Sequence, residues 1–127
     1  MLDLFIKYSG NIENIAKEIS ELLGITLKKQ INEFDEDYYM FRIFEIEFVL
    51  YGEHGLEDDC GIDFSKFDYQ MQILKLRSGE KYKSYNDIYN SMAAFLTEKL
   101  SLSLDSHVML VNNLTNVVLS TIPAIAM

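Results

Sequence analysis

Residues 52–63, Gly-Glu-His-Gly-Leu-Glu-Asp-Asp-Cys-Gly-Ile-Asp, put one histidine, one cysteine and five carboxylates into twelve positions. Three kinds of chemistry can use such a set. A calcium loop needs oxygen ligands at alternate positions and a terminal bidentate glutamate, and this stretch does not keep that register. A small hydrolase or metal-dependent enzyme would draw on His54, Cys60 and the neighbouring carboxylates. The chain lacks a nucleophile elbow, a glycine-rich phosphate cradle and a His-x-x-x-His pair. Cys60 also stands beside Asp58 and Asp59, whose like charge disfavours a thiolate. No catalytic residue, metal ligand or cofactor is therefore assigned. The third use is recognition, in which solvated carboxylates accept hydrogen bonds from lysine and arginine.

Charge distribution favours recognition. Between Glu33 and Asp63 eleven acidic residues face a single base, Arg42, for a local net charge of −10, while the rest of the chain comes to +1. A field this concentrated attracts cationic partners, speeds their encounter and repels nucleic acid. Within it Glu53, Glu57, Asp58, Asp59 and Asp63 form the primary acidic contact set. Asp35, Asp37 and Tyr38 form a second, in which tyrosine adds contact area to carboxylates suited to arginine. Tyr39 is expected in the core, and Glu45 and Glu47 on the exposed side of a half-buried strand. His107, among apolar neighbours, reads as a structural histidine, and Met40, Met71, Met92 and Met109 as core filling. The basic stretch Lys75–Lys83 is too small for nucleic acid on so acidic a chain.

A length of 127 residues with 49% hydrophobic and 24% charged content fits one globular domain spanning 1–127. Cys60 is the only cysteine, so no internal disulfide forms. Asp3 and Lys7 interrupt the start of the chain, which reads as a strand and not a signal peptide. The apolar run Val117–Met127 is too short to span a bilayer. These features imply a soluble, cytoplasmic protein.

The elements that must position the acids follow from periodicity. Leu2 to Tyr8 alternate as a first strand. Ile12, Ile15, Ala16, Ile19, Leu22 and Leu23 recur at helical spacing between an Asn11 cap and Gly24, which predicts a helix over 12–23. Ile25–Ile31 reads as a short strand, 32–37 as a turn and Tyr38–Tyr51 as one long strand. The apolar phase changes from Tyr39, Phe41 and Ile43 to Phe44, Ile46, Phe48 and Leu50. A strand over Phe64–Arg77 changes phase at 73/74, so a bulge or bend crossing both strands is expected. Ser84-x-x-Asp87 resembles a capping box opening a second helix, with Tyr85, Ile88, Tyr89, Met92, Phe95, Leu96 and Leu100 inward. His107–Val111 and Val117–Ile122 complete the set as strands.

The order β-α-β-β-β-α-β-β implies an α+β fold, a mainly antiparallel twisted sheet with two helices packed on one face. With that topology the 32–37 and 78–83 turns share one end of the sheet, where Lys75, Arg77, Lys81 and Lys83 would offset the first acidic turn. The 52–63 loop lies at the other end, uncompensated.

The stretch Phe44-Glu-Ile-Glu-Phe-Val-Leu-Tyr-Gly-Glu-His-Gly-Leu-Glu-Asp-Asp59, then Ile62-Asp-Phe64 and the alternating Tyr69-Gln-Met-Gln-Ile73, resembles small bacterial immunity proteins of contact-dependent growth inhibition and related polymorphic toxin systems. The resemblance implies a cytoplasmic single domain that binds the C-terminal domain of a cognate basic toxin, commonly a nuclease, through an acidic patch. It implies no catalytic residue, no direct nucleic-acid contact and no membrane partner. The alternative partner class is some other basic protein, for which the chain would serve as an acidic adaptor.

Overall fold

The computed structural model describes residues 1–52, 54–76 and 83–122. The elements run β1 (Leu2–Ile6), α1 (Ile12–Leu23), β2 (Lys28–Ile31), β3 (Asp37–Ile43), β4 (Ile46–Tyr51), a 3-10 turn (Phe64–Lys66), β5 (Tyr69–Lys75), α2 (Lys83–Leu104), β6 (Val108–Asn112) and β7 (Asn116–Thr121). The strands form one antiparallel sheet in the order β2-β3-β4-β5-β1-β6-β7. The fold is α+β, with both helices on one face.

Helix α1 forms where its periodicity predicts. The Asn11 side chain accepts the amide of Asn14 at 2.8 Å, which satisfies one of the orphan donors of the first turn. Gly24 ends the helix at φ 68°, a left-handed conformation that favours glycine. Ile15, Ala16 and Ile19 pack against the sheet with Leu4, Ile6, Phe41, Phe48, Met71 and Leu110.

Helix α2 starts at Lys83, so Ser84 sits inside its first turn and not at a cap. Its buried stripe is Tyr89, Ala93, Leu96 and Leu100 with Thr97 and Ser101. Ile88 and Phe95, expected inward, are exposed, because apolar residues surround this helix and only the 89/93/96/100 row meets the sheet. Tyr89 pins the helix down: its buried hydroxyl accepts the Leu2 amide at 2.8 Å and donates to the Ile73 carbonyl at 2.7 Å.

The expected long strand 38–51 is two strands. Phe44 and Glu45, at φ 52° and 58°, form a two-residue turn that pairs Ile43 with Ile46. Two positive-φ residues in succession match the right-handed twist of a hairpin, although asparagine and glycine usually supply them. The phase change at 43/44 is this turn. No bulge crosses to β5, since β4 and β5 pair in unbroken register from Ile46↔Lys75 to Tyr51↔Gln70, and the shift between Leu110 and Val111 lies in β6–β7 instead. Residues 64–68, expected in the β5 strand, are the 3-10 turn and its exit.

The extra hairpin reverses every end assignment downstream of it. The 32–36 turn and the roots of the 52–68 loop lie at the same end of the sheet, and the 44–45 turn and the exit of β5 lie at the other. Lys75 does not serve the 32–37 acids. It sits over the Tyr89 ring at 5.0 Å, whereas Asp37 pairs with Lys29 at 3.4 Å. Arg77 and Lys81 lie outside the described residues.

Candidate partner-binding surface

Strand registers define the rows on the sheet face opposite the helices. One row runs Gln30, Tyr38, Tyr51, Gln70, Phe5 and Met109, and the next Lys28, Met40, Val49, Gln72, Asp3 and Val111. A third short row is Arg42, Glu47 and Leu74. Side chains directly opposite one another in an antiparallel pair share a face, so these rows form one surface.

The 54–67 loop covers half of this face. Ile62, Phe64 and Phe67 are buried against Phe5, Met109 and Val111, and Leu56 and Leu114 pack at the margin of that cluster. Leu114 belongs to the β6–β7 turn, so the loop leaves one end of the sheet, folds back toward the other and returns. The expectation of a wholly solvated loop is thus corrected: its apolar side chains anchor it while Glu57, Asp58, Asp59 and Asp63 remain exposed.

His54 acts within this anchoring. Its Nδ1 accepts the Leu56 amide at 3.0 Å and its Nε2 meets the Phe67 carbonyl at 2.8 Å, so the neutral Nε2–H tautomer satisfies both bonds. The ring stands edge-on to Phe5 at 5.5 Å. Cys60 is exposed at φ 53° and Gly61 follows at φ 74°, a tight turn closed by the Ile62 amide donating to the Asp59 carbonyl at 2.8 Å. His54 and Cys60 therefore hold structural positions, at the root of the loop and at a turn.

The acidic residues are not equivalent. Asp58 accepts both the amide of Ser65 (2.8 Å) and its hydroxyl (3.1 Å), which ties the two limbs of the loop and holds its carboxyl below the usual range. Among the described residues the Asp59 side chain accepts only the adjacent Cys60 amide, at 2.8 Å. Asp63 pairs with Lys66 at 3.2 Å. Glu53 lies outside the described residues. In the other set, the Asn32 side chain accepts the amides of Phe34 and Glu36 and shapes the turn, leaving Glu33, Asp35 and Glu36 exposed. Among the described residues no cation lies within ion-pair distance of Glu33, Asp35, Glu36, Glu57, Asp58 or Asp59.

What the loop leaves uncovered is the half built from β2 to β5. The rings of Tyr38 and Tyr51 pair at 5.9 Å, and half-exposed Met40, Gln72 and Leu74 surround buried Val49. Arg42 is bound to Glu47 through Nε and Nη2 at 3.2 and 3.0 Å. The 33–37 acids border this floor at one end, whereas Glu57, Asp58 and Asp59 line a hollow with Leu56, Phe64 and Leu114 on the loop-covered side. An aromatic and apolar floor inside a charged rim is the layout of a protein-binding surface. Sequence reasoning placed Tyr38 here but missed Tyr51, whose part follows only from its pairing with Tyr38.

Two further side chains were missed. Phe34 and Phe44 are 73% and 71% exposed at hairpin tips, each beside glutamate or aspartate. Large apolar groups presented this openly among acids are suited to insertion into a partner. The signal was present for Phe34, a lone aromatic in a polar turn, whereas Phe44 stands in a stretch that reads as strand.

No protein-family model, curated protein or solved structure matches the chain. The surface must therefore be read from its own chemistry.

Proposed function

We propose that the protein is an immunity protein that binds and neutralises a cognate cationic toxin domain, a nuclease, in the cytoplasm. The observation that carries this reading is the Tyr38–Tyr51 floor beside the acidic 32–36 turn, where Glu33, Asp35 and Glu36 have no cation within ion-pair distance among the described residues. A nuclease must present a basic surface to phosphate, and an acidic frame competes for that same surface. Long-range attraction sets the encounter rate, while desolvated anchors such as the tyrosines and Phe34 supply residence time.

Binding, and not turnover, is the use to which the 52–63 loop is suited. Both ring nitrogens of His54 are occupied by backbone partners, leaving no free base at that position. An acidic adaptor for another basic protein would use the same surface, and the test separates the two.

The protein is co-expressed with the C-terminal domain of the protein encoded immediately upstream, which the proposal requires to be basic, and complex formation and cell survival are both measured. A stoichiometric complex of nanomolar affinity together with protection is the expected result. Binding without protection would leave the adaptor, and absence of a complex would overturn the proposal. Protection abolished by C60S in a variant that still binds would establish catalysis instead.

A further inference from the structure

Strand β1 lies between β5 and β6, in the interior of the sheet, and carries an aspartate. Leu2, Leu4 and Ile6 face the helices, so Asp3 and Phe5 face the other side. Phe5 is sealed under the 54–67 loop, whereas Asp3 borders the open half. Asp3 is 0% exposed, and Gln70 donates its Nε2 to Oδ1 at 2.9 Å. Its second oxygen, Oδ2, is the buried side-chain polar atom without a hydrogen-bond partner among the described residues.

A buried carboxylate oxygen left unpaired is costly, and native interiors rarely keep one without a use. Among the described residues no group hydrogen-bonds this one. The Met1 ammonium acts on Asp3 through its charge but donates its hydrogen bond to Asn113 at 2.8 Å, and Lys75 covers Tyr89 on the helix side. The groups around Asp3 on its own face are Gln72 directly opposite, Gln70, and Tyr51 one strand further on. Gln70 spends its amino group on Asp3, so its carbonyl oxygen is available as an acceptor.

We propose that Asp3 is an anchor for a guanidinium group, taken from the cationic partner beneath the Tyr38–Tyr51 floor, with the side-chain oxygens of Gln70 and Gln72 completing the acceptor set. This rests on the reading of the surface as a site for a basic partner. A guanidinium suits the position because it is planar, weakly hydrated and forks to a carboxylate, whereas an ammonium is compact and strongly hydrated. A metal ion does not suit it, since no group of three His, Cys, Asp or Glu capable of holding one occurs among the described residues. Entry requires the side chains over Asp3 to part, and half-exposed Gln72, directly opposite it on β5, is an unbranched one able to move.

The test uses the full chain and three synthetic peptides, hepta-arginine, hepta-lysine and hepta-citrulline. Affinity is measured at low salt for the wild type, for D3N and for the rim variant E57Q/D59N, while NMR follows the Asp3 carboxyl carbon and the side-chain amides of Gln70 and Gln72. Hepta-arginine is expected to bind the wild type at least tenfold more tightly than D3N and to shift the Asp3 and Gln70 resonances, with hepta-citrulline inert. The rim variant is expected to bind more slowly yet show the same shifts at saturation.

D3N binding within twofold of wild type, or a stationary Gln70 resonance at saturation, overturns the anchor while the rim effect preserves the acidic-surface reading. Equal, Asp3-dependent binding of hepta-lysine overturns the guanidinium assignment. Failure of hepta-arginine to bind the wild type at all removes both. The Gln70 resonance reads the anchor without any substitution, so the test survives a D3N chain that folds poorly.

Discussion

Replacing Asp3 by asparagine should stabilise the protein at neutral pH, and the gain should vanish in acid. The asparagine side chain keeps the acceptor for Gln70 and the shape of the aspartate but exchanges Oδ2 for an amino group that does not ionise, so the pH-dependent part of the difference reports the charge. Burial pushes the Asp3 carboxyl above its ordinary value, with the Gln70 hydrogen bond and the Met1 ammonium opposing that rise. The native state therefore holds the proton more tightly than the unfolded chain, in which an aspartate titrates near 4. Stability of the wild type is full below that unfolded value and declines as pH rises through the folded one. D3N has no such decline. A buried polar group lacking its partner costs about 1–3 kcal/mol, and each kcal/mol moves the melting temperature of a domain this size by about 3–6 °C. Thermal unfolding of both proteins from pH 3 to pH 8 measures the gap. The melting temperature of D3N relative to wild type should be lowest at pH 3 and rise by several degrees by pH 7. A gap that stays constant with pH would show that Asp3 carries no ionisation penalty, and the reasoning from its unpaired oxygen would fail.

The association rate with the basic partner should fall markedly as salt shortens the screening length to about 8 Å at physiological ionic strength and below, and stopped-flow rates independent of salt would remove the acidic frame from the docking step. F34A should raise the dissociation rate tenfold or more with the melting temperature unchanged, because its ring is 73% exposed and supports nothing in the fold. H54A should cost about 1–3 kcal/mol by releasing the Leu56 and Phe67 bonds, visible as faster amide exchange across 54–67, whereas C60S at its exposed turn should leave stability and binding unchanged. D58A should loosen the same loop through loss of both Ser65 bonds while D59N should alter binding alone, a contrast that exchange and affinity measured together will resolve.

Legibility in the sequence followed the strength of local signals. Helix α1 could be read almost to the residue because its cap, apolar spacing and terminal glycine agree. The 38–51 segment could not, because its turn is Phe44-Glu45, two residues with no turn chemistry. The trace it left was the phase change, which a two-residue hairpin imposes by putting Ile43 and Ile46 on the same face. Missing that reversal inverted which end of the sheet each later loop occupies. The presumed neutralisation of Asp35 and Asp37 by the 75–83 bases went with it, and Lys29 of β2 takes that part for Asp37.

The acidic loop was legible as charge and illegible as structure for one reason: Leu56, Ile62, Phe64 and Phe67 follow neither a strand nor a helix period, so their common burial on Phe5, Met109 and Val111 exists only in three dimensions. The same loop seals one half of the sheet face with its apolar side chains and carries the acids exposed. That double use explains why the charge can be so dense. Carboxylates repel one another, and a flexible chain would spread them apart, but four apolar side chains driven under the sheet hold Glu57, Asp58 and Asp59 in a fixed array. Asp3 fits the same logic from below. An unpaired carboxylate in a central strand weakens the free protein, and on the proposed reading a cationic partner offsets that cost on binding.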